Sequence, residues 1–274
     1  MATIAEPLGD GGRAPDRLSG TPRAHSIDRW IYVFTAASFV AIVLAGFIPS
    51  SLAKIAAVQA GERPPFPLVL HFHAALMGSF LILLLVQTSL VAMGRCDLHR
   101  RLGPISMILV PALVVVGLIL VPTTYHATWN AALAAPPAAR EQLQQVVQIS
   151  DNIMLLQLRI AILFPLFLLI GLRARGREAG LHKRMMILAT AVVLPAGIDR
   201  IPWLPSSLPH SPLSPDLFTL LTILPMFVWD VIRNRSVHRA YWIWAAFVVP
   251  FAVAVHGLWN TAWWHATARQ LMGV

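Results

Sequence analysis

A basic turn that contains a histidine occurs three times in this chain, at residues 94–101, 175–184 and 233–239. Each turn joins two long apolar segments of roughly 16 to 28 residues, and about 20 apolar residues are enough to cross the hydrocarbon core of a bilayer. The repeat therefore predicts a polytopic membrane protein built from helical hairpins.

The apolar segments predict an all-α bundle of seven transmembrane helices, with one leading helix followed by three hairpins. Residues 1–28 are polar and rich in glycine, proline and arginine, so we interpret them as a flexible tail. Residues 29–274 then form the transmembrane domain. The predicted spans are a run of about 20 residues from Trp30, followed by residues 66–93, 102–121, 153–172, 185–203, 217–232 and 241–264.

The composition supports a membrane class. Apolar residues make up 57% of the 274 residues and charged residues only 12%, whereas a soluble domain carries about 25% charged residues. A formal net charge of +9 in a soluble protein would point to nucleic acid. Here the bases flank apolar segments, so we expect membrane lipids with anionic headgroups as partners and no nucleic acid. A homo-oligomer or a larger membrane complex is compatible with the sequence.

The basic residues also predict an orientation. Fifteen of the 21 lysines and arginines fall on one side of a seven-span topology. The positive-inside rule places that side in the cytoplasm, which puts the N-terminus inside, the C-terminus outside and the protein in a bacterial inner membrane. The fifteen are Arg13, Arg17, Arg23, Arg29, Arg95, Arg100, Arg101, Arg173, Arg175, Arg177, Lys183, Arg184, Arg233, Arg235 and Arg239.

The basic turns have two interpretations. They act as topology signals alone, or they also bind lipid phosphate through arginines beside the free amides of a helix N-terminus. We interpret the turn histidines His99, His182 and His238 as structural or lipid-binding rather than catalytic. The candidate lipid-headgroup residues are Arg100, Arg101, Lys183, Arg184 and Arg239.

The candidate functional site lies in the opposite leaflet. Polar side chains occur there at similar depth on five predicted helices, and charges inside hydrocarbon normally face the bundle interior, where they are paired or line water. The members are His71, His73, Arg159, Asp199, Arg200, Asp216, His256 and Asn260.

Three interpretations of this cluster remain open. The first is an internal network in which Asp199 pairs with Arg159 or Arg200 and locks the helices. The second is a cofactor site for haem b or a metal ion. There His71 or His73 would act with His256, both His73 and His256 being candidate metal ligands, and the arginines would pair with haem propionates. The third is a pocket for a small or lipid-like substrate, with Asp199 and a histidine transferring protons.

These interpretations lead to three functions. We expect a haem- or metal-binding redox component of the membrane with its site toward the outer face. The alternatives are a transporter or channel for a small solute and a lipid-modifying membrane enzyme.

A family resemblance enters at two of the motifs. The segment His-Phe-His-Ala-Ala-Leu-Met-Gly at residues 71–78, continuing through Gln87 to Leu-His-Arg-Arg-Leu-Gly at residues 98–103, resembles a group of uncharacterised bacterial seven-helix membrane proteins. It is similar, more distantly, to the DUF2306 proteins, which share a His-Arg-x-x-Gly turn after a span. Residues 181–185 resemble the second signature of the same group. The resemblance implies a seven-span topology and no particular chemistry.

Overall fold

The computed structural model of this protein describes Asp16, Leu18 and residues 25–274. Every regular element in that part of the chain is a helix. In chain order they are α1 (Ser26–Gln59), α2 (Leu68–Ala92), α3 (Cys96–Leu102), α4 (Ile105–Leu133), α5 (Pro137–Ala174), α6 (Ala179–Ala191), α7 (Pro195–Ile198), α8 (Leu213–Asn234), α9 (Arg239–Leu258) and α10 (Ala262–Met272).

Seven helical segments of the described chain are long and apolar enough to cross a membrane: α1, α2, α4, α5, α6 with α7, α8 and α9. The prediction of an all-α fold with seven candidate spans is therefore confirmed. Of the tail predicted over residues 1–28, α1 already includes residues 26–28, and Asp16 and Leu18 contact the bundle. The rest of that tail, apart from His25, lies outside the described residues.

The fifth span differs from its predicted course. We expected one helix over residues 185–203, but α6 begins earlier and ends at Ala191, and the short α7 follows after a turn. Pro195 explains the break, because its ring clashes with the carbonyl of Ala191 and it has no N–H to donate. As a result, Asp199 lies in the loop after α7 rather than on the wall of a continuous helix.

The seventh span also ends earlier than predicted. It was expected to run to Trp264, but α9 ends at Leu258 and Asn260 adopts a left-handed backbone with φ of 61°. Asparagine tolerates that conformation better than most residues. The side chain of Thr261 then caps α10 by accepting the Trp264 N–H. The chain therefore leaves its last span with a sharp break and ends in a separate helix.

The fourth predicted span belongs to a much longer helix. α5 has 38 residues, which corresponds to about 57 Å of helix, against a hydrocarbon core of about 30 Å. Its first turns therefore extend beyond the bilayer, where α10 packs on them.

The core of the bundle is centred on α6. Met185, Ile187 and Leu188 have no exposed surface, and α6 contacts α1, α5, α8 and α9. By contrast, α2 and α9 carry many exposed apolar side chains, as expected for helices that face lipid. The position of α6 places its turn residues, including His182 and Arg184, deep in the molecule.

The three predicted hairpins do not pack alike. In the first two, the paired helices lie side by side, α2 against α4 and α5 against α6. In the third, α8 packs mainly on α1 and α7 while α9 packs on α5 and α6. The third hairpin is therefore open away from its turn, and the space between its helices forms a cavity.

Candidate functional site

A cavity of about 290 Å³ lies between α5, the α6–α7 segment, α8 and α9. Its walls are largely apolar, and a polar group lies at one end. The lining residues are Arg159, Leu163, Val192, Pro195, Asp216, Thr219, Leu220, Trp244, Val248, Val249, Ala252, Val253 and His256.

The polar end of the cavity is a triad that we call the cavity triad: Arg159 of α5, Asp216 of α8 and His256 of α9. The Arg159 guanidinium donates two hydrogen bonds to the Asp216 carboxylate, Nη2 to Oδ1 at 2.6 Å and Nη1 to Oδ2 at 3.1 Å. His256 Nε2 lies 3.2 Å from the same Oδ2. The triad therefore joins α5 to both helices of the third hairpin.

The exposed fraction of the side chain increases along the cavity triad, from Arg159 through Asp216 to His256. The Arg159 side chain is 5% exposed, the Asp216 carboxylate 20% and the His256 ring 36%. Asp216 lies in the first turn of α8, where the helix dipole stabilises a negative charge. The arrangement holds the ion pair rigidly and leaves the imidazole as its accessible member.

Arg159 and His256 were both predicted as site residues, and the structure brings them together through a different carboxylate. Asp216 was recognised at the right depth but was not chosen as their partner. Asp199, which we expected to pair with Arg159 or Arg200, does not pair with Arg159; it attracts the neighbouring Arg200 electrostatically and accepts a 3.4 Å hydrogen bond from the Ser206 hydroxyl.

The other predicted site residues lie elsewhere. His71 is exposed and contacts the Phe66 ring. His73 points into the bundle beside Gly117 of α4, and its Nδ1 is buried with no hydrogen-bond partner among the described residues. Arg200 donates to the Ala196 carbonyl and stacks on the Phe47 ring.

The two candidate imidazole ligands His73 and His256 lie on helices with different neighbours. α2, which carries His73, packs on α1 and α4, whereas His256 lies on the cavity between α5, α8 and α9. Within the described chain, no three histidine, cysteine, aspartate or glutamate side chains are grouped as a metal site.

A second polar cluster lies near the same end of the bundle, at the junction of α4, α5 and α10. The fully buried Asp151 accepts a hydrogen bond from the Tyr125 hydroxyl at 2.6 Å and contacts His265 Nδ1 at 2.9 Å and Arg269 Nη2 at 3.4 Å. The sequence analysis missed this cluster because Asp151 fell between two predicted spans and no helix was predicted after residue 264. The signal available was the helical spacing of apolar residues after Thr261, with Trp264 and Ala268 four residues apart on the buried face of α10.

At the opposite end, the second and third basic turns contribute to a network that we call the turn network. Its centre is Arg184, which is fully buried. The guanidinium donates to Asp230 at 2.5 and 2.7 Å and to Asp16 at 2.8 and 3.0 Å. Lys183 also lies 3.4 Å from Asp16. A nearby buried pair, Asp28 with Arg233, completes a cluster of three carboxylates and three bases.

The predicted lipid-headgroup residues consequently have different environments. Arg184 is enclosed by protein carboxylates, and Lys183 is mostly buried beside Asp16. Arg100 pairs with Asp97 on the surface, the partly exposed Arg239 pairs with Glu178, and Arg101 is exposed. Only the last three arginines of this set present a charge that a headgroup can reach.

Two turn histidines are held neutral by their surroundings. Burial is the main cause that lowers the pKa of His238 to about 4, and the nearby Arg184 adds to it. Burial also lowers the pKa of His99, with a further contribution from Arg100. His238 Nδ1 accepts the Ala240 N–H and caps α9, so its role is structural.

Comparison with known proteins adds no relative. No protein-family model matches the chain, no curated protein is significantly similar to it, and no solved structure matches it.

Proposed function

We propose that this membrane protein binds a lipid-soluble molecule with a small hydroxyl-bearing head, such as a quinol. The head would lie at the cavity triad and the apolar tail would leave between α8 and α9. The observation that carries the proposal is a cavity with apolar walls, a single polar end and an opening in the splayed third hairpin.

The apolar walls favour a lipid-soluble ligand over a hydrophilic solute. Leu220, Val249 and Val253 line the cavity and are also among the exposed apolar residues of the bundle, so the cavity opens where lipid would cover the protein. Its volume of about 290 Å³ is at the lower end of the range of about 300–1,000 Å³ for small-molecule pockets. It suits a ring or short head whose tail extends into the bilayer.

The charge of the cavity triad favours a neutral head. Arg159 and Asp216 neutralise each other through two hydrogen bonds, so neither offers an uncompensated charge to a ligand. His256 is the remaining polar group with substantial exposure. A fully ionised head would be desolvated here without a counter-charge, which is costly.

The arrangement of donor and acceptor nitrogens in the His256 ring favours a ligand that carries a hydroxyl group. An ionised carboxylate only accepts hydrogen bonds, so the His256 Nε2 beside Asp216 must carry the hydrogen. In a neutral ring Nδ1 is then an acceptor, and a ligand hydroxyl can donate to it. A histidine hydrogen-bonded to a carboxylate is also suited to accept a proton from such a hydroxyl. This proposal retains the substrate-pocket interpretation of the sequence and gives it Asp216 instead of Asp199.

The binding test uses Trp244, which lines the cavity and is fixed by a 3.1 Å hydrogen bond to the Leu188 carbonyl. The purified protein is titrated with a decyl-substituted benzoquinol and, as the matched ligand, with its dimethyl ether. We expect the quinol to change the fluorescence component that the Trp244→Phe variant lacks. It should bind about three- to tenfold more tightly than the ether, the worth of one hydrogen bond.

The protein controls are His256→Phe, which should abolish the preference for the quinol, and His71→Phe on exposed α2, which should retain it. Equal affinity for quinol and ether, or an unchanged preference in His256→Phe, would contradict the proposal.

We also propose that the basic-turn end faces the cytoplasm of a bacterial cell, with the protein in the inner membrane. The support is the fifteen basic residues that the topology places on that side and the positive-inside rule. A reporter fused after Val274 should then be active only outside the cytoplasm, and one fused after Gly180 only inside. A cytoplasmic signal from the Val274 fusion would reverse the orientation.

A further inference from the structure

Two of the three turn histidines meet at the basic-turn end. His99 lies on α3 in the first turn and His182 on α6 in the second, and their ring centroids are 6.3 Å apart with an angle of 73° between the ring planes. This contact lies at the opposite end of the bundle from the cavity triad. Any function of this contact is therefore independent of ligand binding in the cavity.

His182 is oriented with one nitrogen available. Its Nδ1 lies 2.7 Å from the Gly171 carbonyl oxygen. Because a carbonyl oxygen only accepts, Nδ1 must carry the hydrogen, and Nε2 of the neutral ring keeps its lone pair. Metal-bound histidines commonly show this arrangement, in which the second ring nitrogen donates to a carbonyl and fixes the ring.

His99 has an available nitrogen in a buried position. Its Nδ1 is buried and has no hydrogen-bond partner among the described residues, and the same holds for Gln87 Oε1. The Gln87 amide nitrogen donates to the His99 backbone carbonyl at 3.2 Å, so both orphaned atoms belong to residues in direct contact. A buried polar atom without a partner costs about 1–3 kcal/mol; a metal ion would supply the partner that His99 Nδ1 lacks, whereas Gln87 Oε1 needs a hydrogen-bond donor.

The ring spacing fits two ligands on opposite sides of one metal. With a metal–nitrogen bond of about 2.0 Å and about 1.1 Å from nitrogen to ring centroid, opposite imidazoles have centroids about 6.2 Å apart. Tetrahedral ligation would bring them to about 5.1 Å. The observed 6.3 Å agrees with the opposed arrangement, and rings sharing one axis can take any angle between their planes.

The surrounding charge limits the kind of metal centre. Arg100 lies near His99 and Arg175 near His182, and no third histidine, cysteine or acidic side chain joins the pair within the described chain. Such a setting opposes a bare divalent ion. It admits a centre of low net charge, and arginines beside it would suit the propionates of a haem.

We propose that His99 and His182 are the two opposed imidazole ligands of a metal centre of low net charge, supplied either as a Cu(I) ion or as haem iron. Imidazole suits both copper and iron, and a histidine is a common axial ligand of haem. The competing explanation is an ordered water that bridges Gln87 and His99, and the experiment separates the two.

The experiment uses the full-length protein, purified in detergent and offered Cu(I) under reducing conditions or haem b. Bound copper is measured by elemental analysis, and bound haem by the Soret band and its change on reduction. The wild type should retain about one equivalent of one of the two, and the retained species identifies the source. His99→Ala and His182→Ala should each weaken retention at least about tenfold.

Two further variants make the result specific. His99→Met supplies a thioether that both copper and haem iron accept, so it should restore binding with a shifted Soret band or an altered copper affinity. His238→Asn, in the third turn, keeps a residue able to cap α9 and should bind like the wild type. Size-exclusion chromatography and circular dichroism show whether each variant is folded. If the alanine variants are not folded, the binding result for His99→Met decides the test.

Three outcomes would overturn the assignment. The first is a wild type that retains neither Cu(I) nor haem better than His182→Ala does, as expected for a bridging water. The second is retention of either species that His99→Ala and His182→Ala do not weaken. The third is Zn(II), offered to the protein in a parallel sample, bound as tightly as Cu(I), since Zn(II) favours tetrahedral ligation. None of these outcomes changes quinol binding at the other end of the bundle, so each proposal can fail separately.

Discussion

The two ends of this bundle each hold a buried arginine in a two-pronged contact with an aspartate, yet they differ in what surrounds the pair. At the basic-turn end, Arg184 is enclosed by Asp230 and Asp16 and has no exposed surface. At the other end, Asp216 is the carboxylate that pairs with Arg159 among the described residues, and the accessible His256 extends the contact into a cavity. The arginine–aspartate pair has a structural role at the basic-turn end, where every donor of the guanidinium is used. At the cavity end it belongs to a candidate site, because its neighbour His256 remains accessible.

The largest effect should come from removing the enclosed arginine. Arg184→Ala removes the counter-charge of the fully buried Asp230 and one of the two basic partners described for Asp16, which costs about 3–5 kcal/mol, so little folded protein should be recovered. Arg159→Ala should cost less, about 1–3 kcal/mol, since Asp216 is partly exposed and keeps His256. Thermal unfolding of both variants in detergent tests the difference. Equal losses would show that the two arginines do not differ in role.

A second prediction concerns the close backbone contact between α1 and α7. A Cβ atom added at Gly46 of α1 would lie 2.0 Å from the Gly197 carbonyl oxygen of α7. Gly46→Ala should therefore force the two helices apart and destabilise the protein by about 1–3 kcal/mol. The matched control is Gly78→Ala on α2, where an added Cβ meets nothing within 4 Å.

Gly78→Ala should be neutral or slightly stabilising, because alanine is preferred to glycine inside a helix. The same measurement of thermal unfolding applies to both variants. If Gly46→Ala is tolerated as well as Gly78→Ala, α1 and α7 are not held together as closely as described.

A third prediction concerns acid. The pKa of His238 is lowered from its ordinary 6.5 to about 4, so in this pH range the unfolded chain binds a proton more readily than the folded one. Stability from this residue is complete above pH 6.5, falls as the pH drops toward 4 and then levels off. His99, whose pKa is also lowered, adds to the same loss.

The measurement is the unfolding temperature between pH 7.5 and 4. His238→Asn should lose less stability over this range than the wild type, whereas His71→Asn, at an exposed position of α2, should behave like the wild type. An identical pH dependence in His238→Asn and wild type would remove the histidine from the explanation.

The smallest effect is expected where a hydroxyl meets a carboxylate that has other partners. Tyr125→Phe removes one hydrogen bond to Asp151, which keeps its contacts with His265 and Arg269. The expected loss is about 1 kcal/mol, with quinol binding unchanged. A loss as large as that of Arg159→Ala would instead make the Asp151 cluster a lock comparable to the turn network.

The sequence predicted the helices well because apolar length alone determines which segments can span a membrane. It also placed Arg159 and His256 at a common depth, since residue number along a helix gives height. It did not predict the partner, because which helices are neighbours and how each is rotated are not local properties. The choice of Asp199 over Asp216 was wrong for this reason, together with the break that Pro195 imposes.

The basic-turn end was predicted less well. The count of basic residues placed the three turns on one side of the membrane, but it treated their arginines as equivalent. The partners of Arg184 are Asp16, 168 positions before it, and Asp230, 46 positions after it. The contact between His99 and His182 was not predicted either. This contact depends on how α3 and α6 pack against each other, and no periodicity in the sequence predicts that packing.

The order of these partners along the chain has a consequence for how the protein is made. Asp16 leaves the ribosome before Arg184, and Asp230 leaves it afterwards. While α6 enters the membrane, Asp16 is therefore the carboxylate that can already neutralise Arg184, and Asp230 joins it once α8 has been synthesised. On this order of synthesis, Asp16 can serve during biogenesis as an internal counter-ion for the fully buried Arg184.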